Sequence, residues 1–450
     1  MTTDVTATLA DFAAGLKFED IPERVRENCR VLLLDTLACA LAGHLGEETP
    51  QVAAMAGALG HSEELSIIGG GRSSLAGTTL LNGFLITAVT MCDVHRSTLT
   101  HITPEVVPPA LAIAERDGLS GRDLMVALVA GCETATRIGL GLDFPEFRKR
   151  GWHGPGVFGL FGSAAAVGRL RKFDGETMAR AFGLAGSQSA GTFAAWGTPT
   201  VKFHQCRGAL SGVMAALLAE QKFVATKEFL TAADGGLLNT YSNGGRPQDI
   251  VSGLGQRWEM ENIALRLWPS ASTIQGMITA TFDLVEQHQL KPADVRKLRV
   301  SMSKTAVDLH GIFPRYKAKF EALLSTHYAA AVILHDRELT LAQFEPSRYD
   351  DPALRRFSAE QVEVVADASL SGVQAVVEVE TTDGRKLSIR CEHPLGSPER
   401  PLTRAQVEAK FRSYAKARLP AARIDAVLAA VTKLEDYASV AELMTLLRAG

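Results

Sequence analysis

The sequence predicts a mainly α fold: a large all-helical domain with an inserted, smaller α+β lid domain. Three observations carry that expectation. Long apolar runs of helical composition, broken by Gly and Pro, fill the first ~260 residues. Runs of alternating apolar and polar residues occur between Lys297 and Cys391. Helical periodicity resumes after Pro401. The boundaries that follow are residues 1–262 for the first part of the helical domain, 263–399 for the lid and 400–450 for the helical return.

Each element follows from local chemistry. Pro22 sits at a helix start, and Val25 to Leu41 turns strongly apolar from Val31, which predicts a helix buried on most sides. Asn82 to Val89 repeats that pattern. Pro108 opens a helix that runs to Arg116, because proline suits a first turn. Gly121 to Gly139 is a helix begun by Arg122-Asp123 and closed by a glycine. Gly151 to Gly156 reads Gly-Trp-His-Gly-Pro-Gly, a tight turn into the small-residue helix Leu160 to Leu170. Ala209 to Gln221 is a second Ala-rich helix. Lys297 to Met302 sets Leu298, Val300 and Met302 on one side, as a strand does. Val373 to Thr381 and Lys386 to Cys391 alternate on either side of Asp383-Gly384, a hairpin signal. Ala318 to Leu334, Arg404 to Leu419 and Ile424 to Val431 are helical.

Composition narrows the function classes. At 450 residues the chain exceeds one compact core, so two domains are expected. Hydrophobic residues make up 46% and charged residues 22%, the balance of a soluble globular protein. A net charge of −3 and the absence of a basic run argue against nucleic acid. No apolar stretch of membrane-spanning length runs uninterrupted, so no membrane partner is expected. Met1 to Phe12 carries Asp4 and Asp11 without Lys or Arg, unlike a signal peptide. The scattered cysteines fit reduced thiols in a cytoplasmic protein. They lack Cys-x-x-Cys spacing, so no metal or redox cofactor is expected. Gly139-Leu-Gly141 lacks the third glycine of a dinucleotide site, and Ser187 stands where a serine-hydrolase elbow needs glycine.

Three segments concentrate titratable groups. His153 lies among glycines at a helix start, a setting that suits acid–base work. Asp93 to Glu105 is polar and follows an apolar helix; it brings Asp93, His95, His101 and Glu105 into one predicted loop. Fixed metal-ligand spacing is missing there, so no metal site is assigned. Ser187 to Arg207 sets Lys202, His204 and Arg207 beside small residues without acidic neighbours, which suits an anionic substrate. Were this stretch extended, Lys202 and His204 would point the same way; were it helical, Lys202 and Arg207 need not share a face.

In order along the chain, eight segments resemble the MmgE/PrpD family, which spans 2-methylcitrate dehydratase, cis-aconitate decarboxylase and iminodisuccinate epimerase. They are Leu81-Asn82-Gly83, His101 to Pro108, Gly151-Trp152-His153 with Phe161 to Ala165, and Ala185 to Gln188. Gly197 to Arg207, Trp268-Pro269-Ser270, Ser325 to Tyr328 and Lys410-Phe411-Arg412 complete the set. The resemblance implies a helical domain with a lid, a homodimer and a metal-free site holding His101, His153, Lys202 and Tyr328. Long apolar helices such as Val25 to Leu41 also suggest a dimer. The family pattern Asp-x-Asp-Asp-Thr-His reads Thr90-Met91-Cys92-Asp93-Val94-His95 here, so only one of its three Asp remains. Arg266 stands where the family has lysine, and Gln275 where it has histidine.

The expected activity is that of a cofactor-independent lyase of the dehydratase type acting on a small di- or tricarboxylate. His153 is its base or acid, and Lys202 and Arg266 hold carboxylates. Tyr328 donates to the leaving oxygen, Asp93 and His101 form a polarised pair, and His204, Arg207 and His95 assist binding. The alternatives are an epimerase or isomerase, a decarboxylase of a small polycarboxylate, and a degenerate carboxylate-binding or interaction protein.

Overall fold

The computed structural model describes residues 4–312 and 316–449. Residues 1–3 and 450, in the predicted helical domain, and 313–315, in the predicted lid, lie outside the described set. Helices dominate, and the chain divides into two units: one built from the residues up to Ala264 and from Thr403 onward, the other from Leu265 to Leu402.

Close helix packing builds the first unit. Gly121–Gly141 packs on Leu160–Leu170, and Thr200–Glu220 packs on Leu160–Leu170, Leu75–Thr87 and Gly175–Gly186. The contact faces are rich in Ala and Gly, whose short side chains let helix axes approach. Ser120 and Asp123 close a capping box that starts Gly121–Gly141. That helix is long and apolar enough by length and composition to cross a bilayer, although Glu133 and Arg137 interrupt it. It is a core helix: 94% of its apolar window is buried inside the protein, and it carries the buried pair Arg137–Glu133 at 2.8 Å.

Arg404–Ala415 and Leu75–Thr87 of the same chain pack against Glu23–Gly43, so its apolar length by itself argues neither for nor against a partner subunit. A further helix start differs from the expectation at Pro108. The helix begins at Thr103 and carries Pro108 and Pro109 in its interior. Asp93 accepts the Ile102 and Thr103 N–H groups at 2.9 and 3.1 Å, which caps the earlier start. Pro108 forfeits only its own bond to the Pro104 carbonyl, and burial of the helix outweighs that loss.

The second unit holds a four-stranded sheet in the order Val362–Ala366, Val295–Met302, Ala375–Thr381, Lys386–Cys391. The central strand runs parallel to the first, with Leu298 facing Val362, and antiparallel to the third, with Val300 facing Val377. The hairpin predicted at Asp383-Gly384 pairs Val377 with Ile389. Helix Gln275–His288 packs against the last two strands, and Lys319–Leu324 and Thr326–Asp336 replace the single helix read over Ala318 to Leu334. The break falls at Ser325, whose hydroxyl caps the second helix by accepting the Tyr328 N–H.

Candidate active site

His153 sits between the short helix Phe144–Lys149 and a π-helical turn, Pro155–Gly159, that runs into Leu160–Leu170. Two backbone bonds fix it. The His153 N–H donates to the Gly191 carbonyl at 3.0 Å, and the Phe193 N–H donates to the Gly151 carbonyl at 2.7 Å. His204 comes from the start of Thr200–Glu220 and meets His153 with the two Nδ1 atoms 3.0 Å apart. At that separation one ring donates and the other accepts, so a single hydrogen lies between them. Burial pushes His153 well below the usual imidazole range, and the charges of His204, His101 and Arg148 add to it. Burial, then Arg207, lowers His204. Both rings are therefore neutral at pH 7, and their outer nitrogens are complementary. The ring that donates Nδ1–H has a lone pair at Nε2; the ring that accepts has a hydrogen at Nε2. One uncharged pair carries both an acid and a base.

His101 is a third imidazole within electrostatic range of His153. Its Nδ1 lies 2.7 Å from the Asp93 carbonyl. A carbonyl only accepts, so Nδ1 carries the hydrogen and neutral His101 has its lone pair at Nε2. The Asp93 carboxylate caps the Thr103–Arg116 helix and accepts the Thr103 hydroxyl. Burial raises its pKa against the opposing pull of those bonds. Asp93 thus orients His101 through its backbone and the helix start through its side chain. The loop before it is taut: Thr90, where the family has Asp, stands at φ 58, a left-handed position costly for a β-branched residue. Lys202 donates to the Ala88 carbonyl at 2.6 Å and to Glu48 at 3.3 Å, and Lys410 donates to the Met91 carbonyl at 3.4 Å. Two buried lysines clamp the ends of this loop.

The other predicted residues are placed as follows. Thr200–Glu220 is helical from its first residue, so Lys202 and His204 point apart, while His204 and Arg207 share a face. Arg207 donates to the carbonyls of Gln188, Gly156 and Ala190, each at 2.9 Å, and so pins the loop that carries Gly191 and Phe193. His95 is fully buried, 2.8 Å from the Thr98 hydroxyl and 3.2 Å from Glu259, which leaves it no face for a substrate. Burial raises Glu259, but the bonds from His95 and Asn262 prevail and hold its carboxyl at about 2. In the second unit, buried Arg266 donates to the Ser270 carbonyl at 2.7 Å. Buried Tyr328 donates to the Gln343 carbonyl, and burial pushes its phenol upward. Among the described residues no group of three His, Cys, Asp or Glu side chains is gathered as a metal ion requires.

Sequence reasoning missed Arg148 and the partner carboxylate Glu48. The Arg148 guanidinium lies 3.3 Å from the Phe193 ring centroid and donates to the Trp152 carbonyl at 2.7 Å. Among the described residues no carboxylate pairs with it. In the sequence it belongs to Arg148-Lys149-Arg150, which looks like a solvated helix end. Glu105 was noticed only as one member of a polar loop; it is fully buried instead.

Residues 7–249 match the MmgE/PrpD N-terminal domain, and residues 268–436 match the MmgE/PrpD C-terminal domain. The chain belongs to the MmgE/PrpD family. A cis-aconitate decarboxylase-like protein of Aspergillus oryzae is 28% identical, covering 99% of this chain and 97% of that protein. The cis-aconitate decarboxylase of Aspergillus terreus is 25% identical over 98% of this chain and 96% of its own length. The human cis-aconitate decarboxylase is 26% identical over 100% of this chain and 95% of its own. His101, His153 and Lys202, read from the sequence as the family's site positions, lie in the part matched by the N-terminal family model.

Proposed function

We propose that this member of the MmgE/PrpD family is a lyase for a small di- or tricarboxylate, and that its reaction is loss of carbon dioxide from an unsaturated tricarboxylate of the cis-aconitate type. The observation that carries the chemistry is the Nδ1–Nδ1 contact of His153 and His204 at 3.0 Å. The names of three relatives favour decarboxylation over the loss of water expected from the sequence.

In an acid whose carboxylate is one carbon removed from a double bond, breaking the bond to CO2 releases an electron pair. That pair forms a new double bond, and the old π pair takes a proton at the far carbon. The step therefore needs a proton donor at carbon. The imidazole with hydrogen on Nε2 supplies it. The shared hydrogen then moves across the Nδ1–Nδ1 contact, and the second ring takes a proton from solvent at its Nε2. One carboxylate and one proton give one CO2 and one new C–H bond, and both rings end neutral. Arg148 attracts a substrate carboxylate through its unpaired charge. The loss of water is the second reading, favoured by the lone pair that the Asp93 carbonyl leaves at His101 Nε2. There His101 takes the proton beside a carboxylate and the histidine pair protonates the leaving hydroxyl.

Proton NMR in deuterated water with cis-aconitate, citrate-type hydroxy acids and aspartate-type diacids separates the readings. New vinyl methylene signals with one deuterium on carbon and release of CO2 support decarboxylation. Olefinic signals without CO2 support a dehydratase, and exchange alone an epimerase. No change across the panel sinks the lyase proposal.

A further inference from the structure

Glu105 is the most unusual buried side chain of the first unit. It lies in the first turn of Thr103–Arg116, is fully buried, and neither carboxyl oxygen has a hydrogen-bond partner among the described residues. Its surroundings are shaped to receive it. A methyl group at Gly159 would lie 2.0 Å from the Glu105 Cδ and Oε2, and one at Gly208 would lie 2.9 Å from Oε1. Any side chain larger than hydrogen at Gly159 would displace the carboxyl. Gly159 ends the π-helical turn that follows His153, and Gly208 lies one helical turn beyond His204. One carboxyl therefore touches both histidine-bearing segments.

We propose that Glu105 is a positioning residue that works as a neutral carboxylic acid, filling the notch between Gly159 and Gly208 and setting the spacing of the segments that carry His153 and His204. The groups facing it agree. Asp93 approaches from the preceding loop and disfavours a second negative charge. Cys206 and Arg207 face it from Thr200–Glu220; Arg207 is the opposing cation, and its donors go to the loop carbonyls and the Ser211 hydroxyl. Pro155–Gly159 brings only Pro, Gly, Val and Phe. Burial first, then Asp93, holds the carboxyl well above the usual range.

The test compares the full-length protein with Glu105→Gln, which mimics the neutral acid, and Glu105→Ala, which empties the notch. In denaturant unfolding from pH 4 to 8, a carboxyl kept neutral in the native state alone makes wild type lose stability relative to Glu105→Gln as pH rises above ~4.3, by up to about tenfold in the unfolding constant per pH unit. A ratio that stays flat across this range overturns the neutral acid. Histidine ring NMR reports the spacing. The low-field hydrogen shared by His153 and His204 should vanish in Glu105→Ala and return in Glu105→Gln. Glu105→Asp, which withdraws the carboxyl, replaces Glu105→Ala if that variant does not fold. A signal unchanged in the shortened variant overturns the positioning role. A third readout, kcat about tenfold lower in Glu105→Ala and rescued by Glu105→Gln, rests on the acid–base reading of His153; an unchanged kcat in Glu105→Ala counts against positioning. If His153→Ala keeps full turnover, that reading fails while the unfolding and NMR arms still decide the role of Glu105.

Discussion

Individual residues set the pH behaviour of this protein. Burial lowers His310 and His327 to about 4 and also lowers His153 and His204. Above the unfolded-state value near ~6.5 these rings are neutral in both states, so their contribution to stability is fully present. As pH falls below that value, the unfolded chain takes up protons that the native rings refuse, and stability is lost down to about 4. The buried carboxyls of Glu105, Asp93 and Glu133, which burial raises, act in the opposite sense, three groups against five once the lowered His44 is added. The urea midpoint should therefore drop between pH 7 and pH 5; a constant midpoint would mean that the rings protonate freely in the fold. Arg148 makes a second prediction. Arg148→Gln should weaken tricarboxylate binding about tenfold with kcat nearly unchanged, because the charge acts on bound substrate and not on the reacting carbon. Equal KM values for the two proteins would remove Arg148 from substrate binding. His153 was legible as a functional residue because glycine on both sides of an imidazole is a local signal. Glu105 and Arg148 were not, because what distinguishes them is a missing partner, and partners come from segments distant in sequence.

At the scale of elements, periodicity located the buried helices, and alternation located three of the four strands of the sheet but not Val362–Ala366. The errors came where tertiary contacts overrode local rules. Pro108 does not begin the Thr103–Arg116 helix, because Pro104 stands in its first turn and Asp93 caps it earlier. Thr200–Glu220 starts nine residues before the Ala-rich stretch that announced it. A buried tie between distant elements is equally invisible in sequence: Lys410 of Arg404–Ala415 donates to Asp35 of Glu23–Gly43 at 2.6 Å, with both side chains buried. The nearby negative charge of Asp35 raises the ammonium pKa despite the burial that opposes it. Lys410→Met should take the cation from a buried carboxylate and cost about 3–5 kcal/mol. Chemical unfolding measures this, and a loss below about 1 kcal/mol would show that water reaches Asp35.

For the whole molecule, the two units differ in how the chain makes them. Leu265–Leu402 is continuous and owns its sheet and its covering helix, so residues 265–402 expressed alone should unfold cooperatively in denaturant. A non-cooperative transition would refute its autonomy. The first unit has no such independence, because Arg404–Ala415 completes the packing around Glu23–Gly43. This has a consequence for how the protein is made. Synthesis runs in one direction, and Lys410, the partner of Asp35, leaves the ribosome only after the whole of Leu265–Leu402. Until then the helices around His101, His153 and His204 wait incomplete, with apolar faces open to chaperones and proteases, while the middle segment is already able to fold. A stop codon near residue 403 would thus spare the sheet and disable histidines that lie 206 to 309 residues upstream of the Lys410 lost.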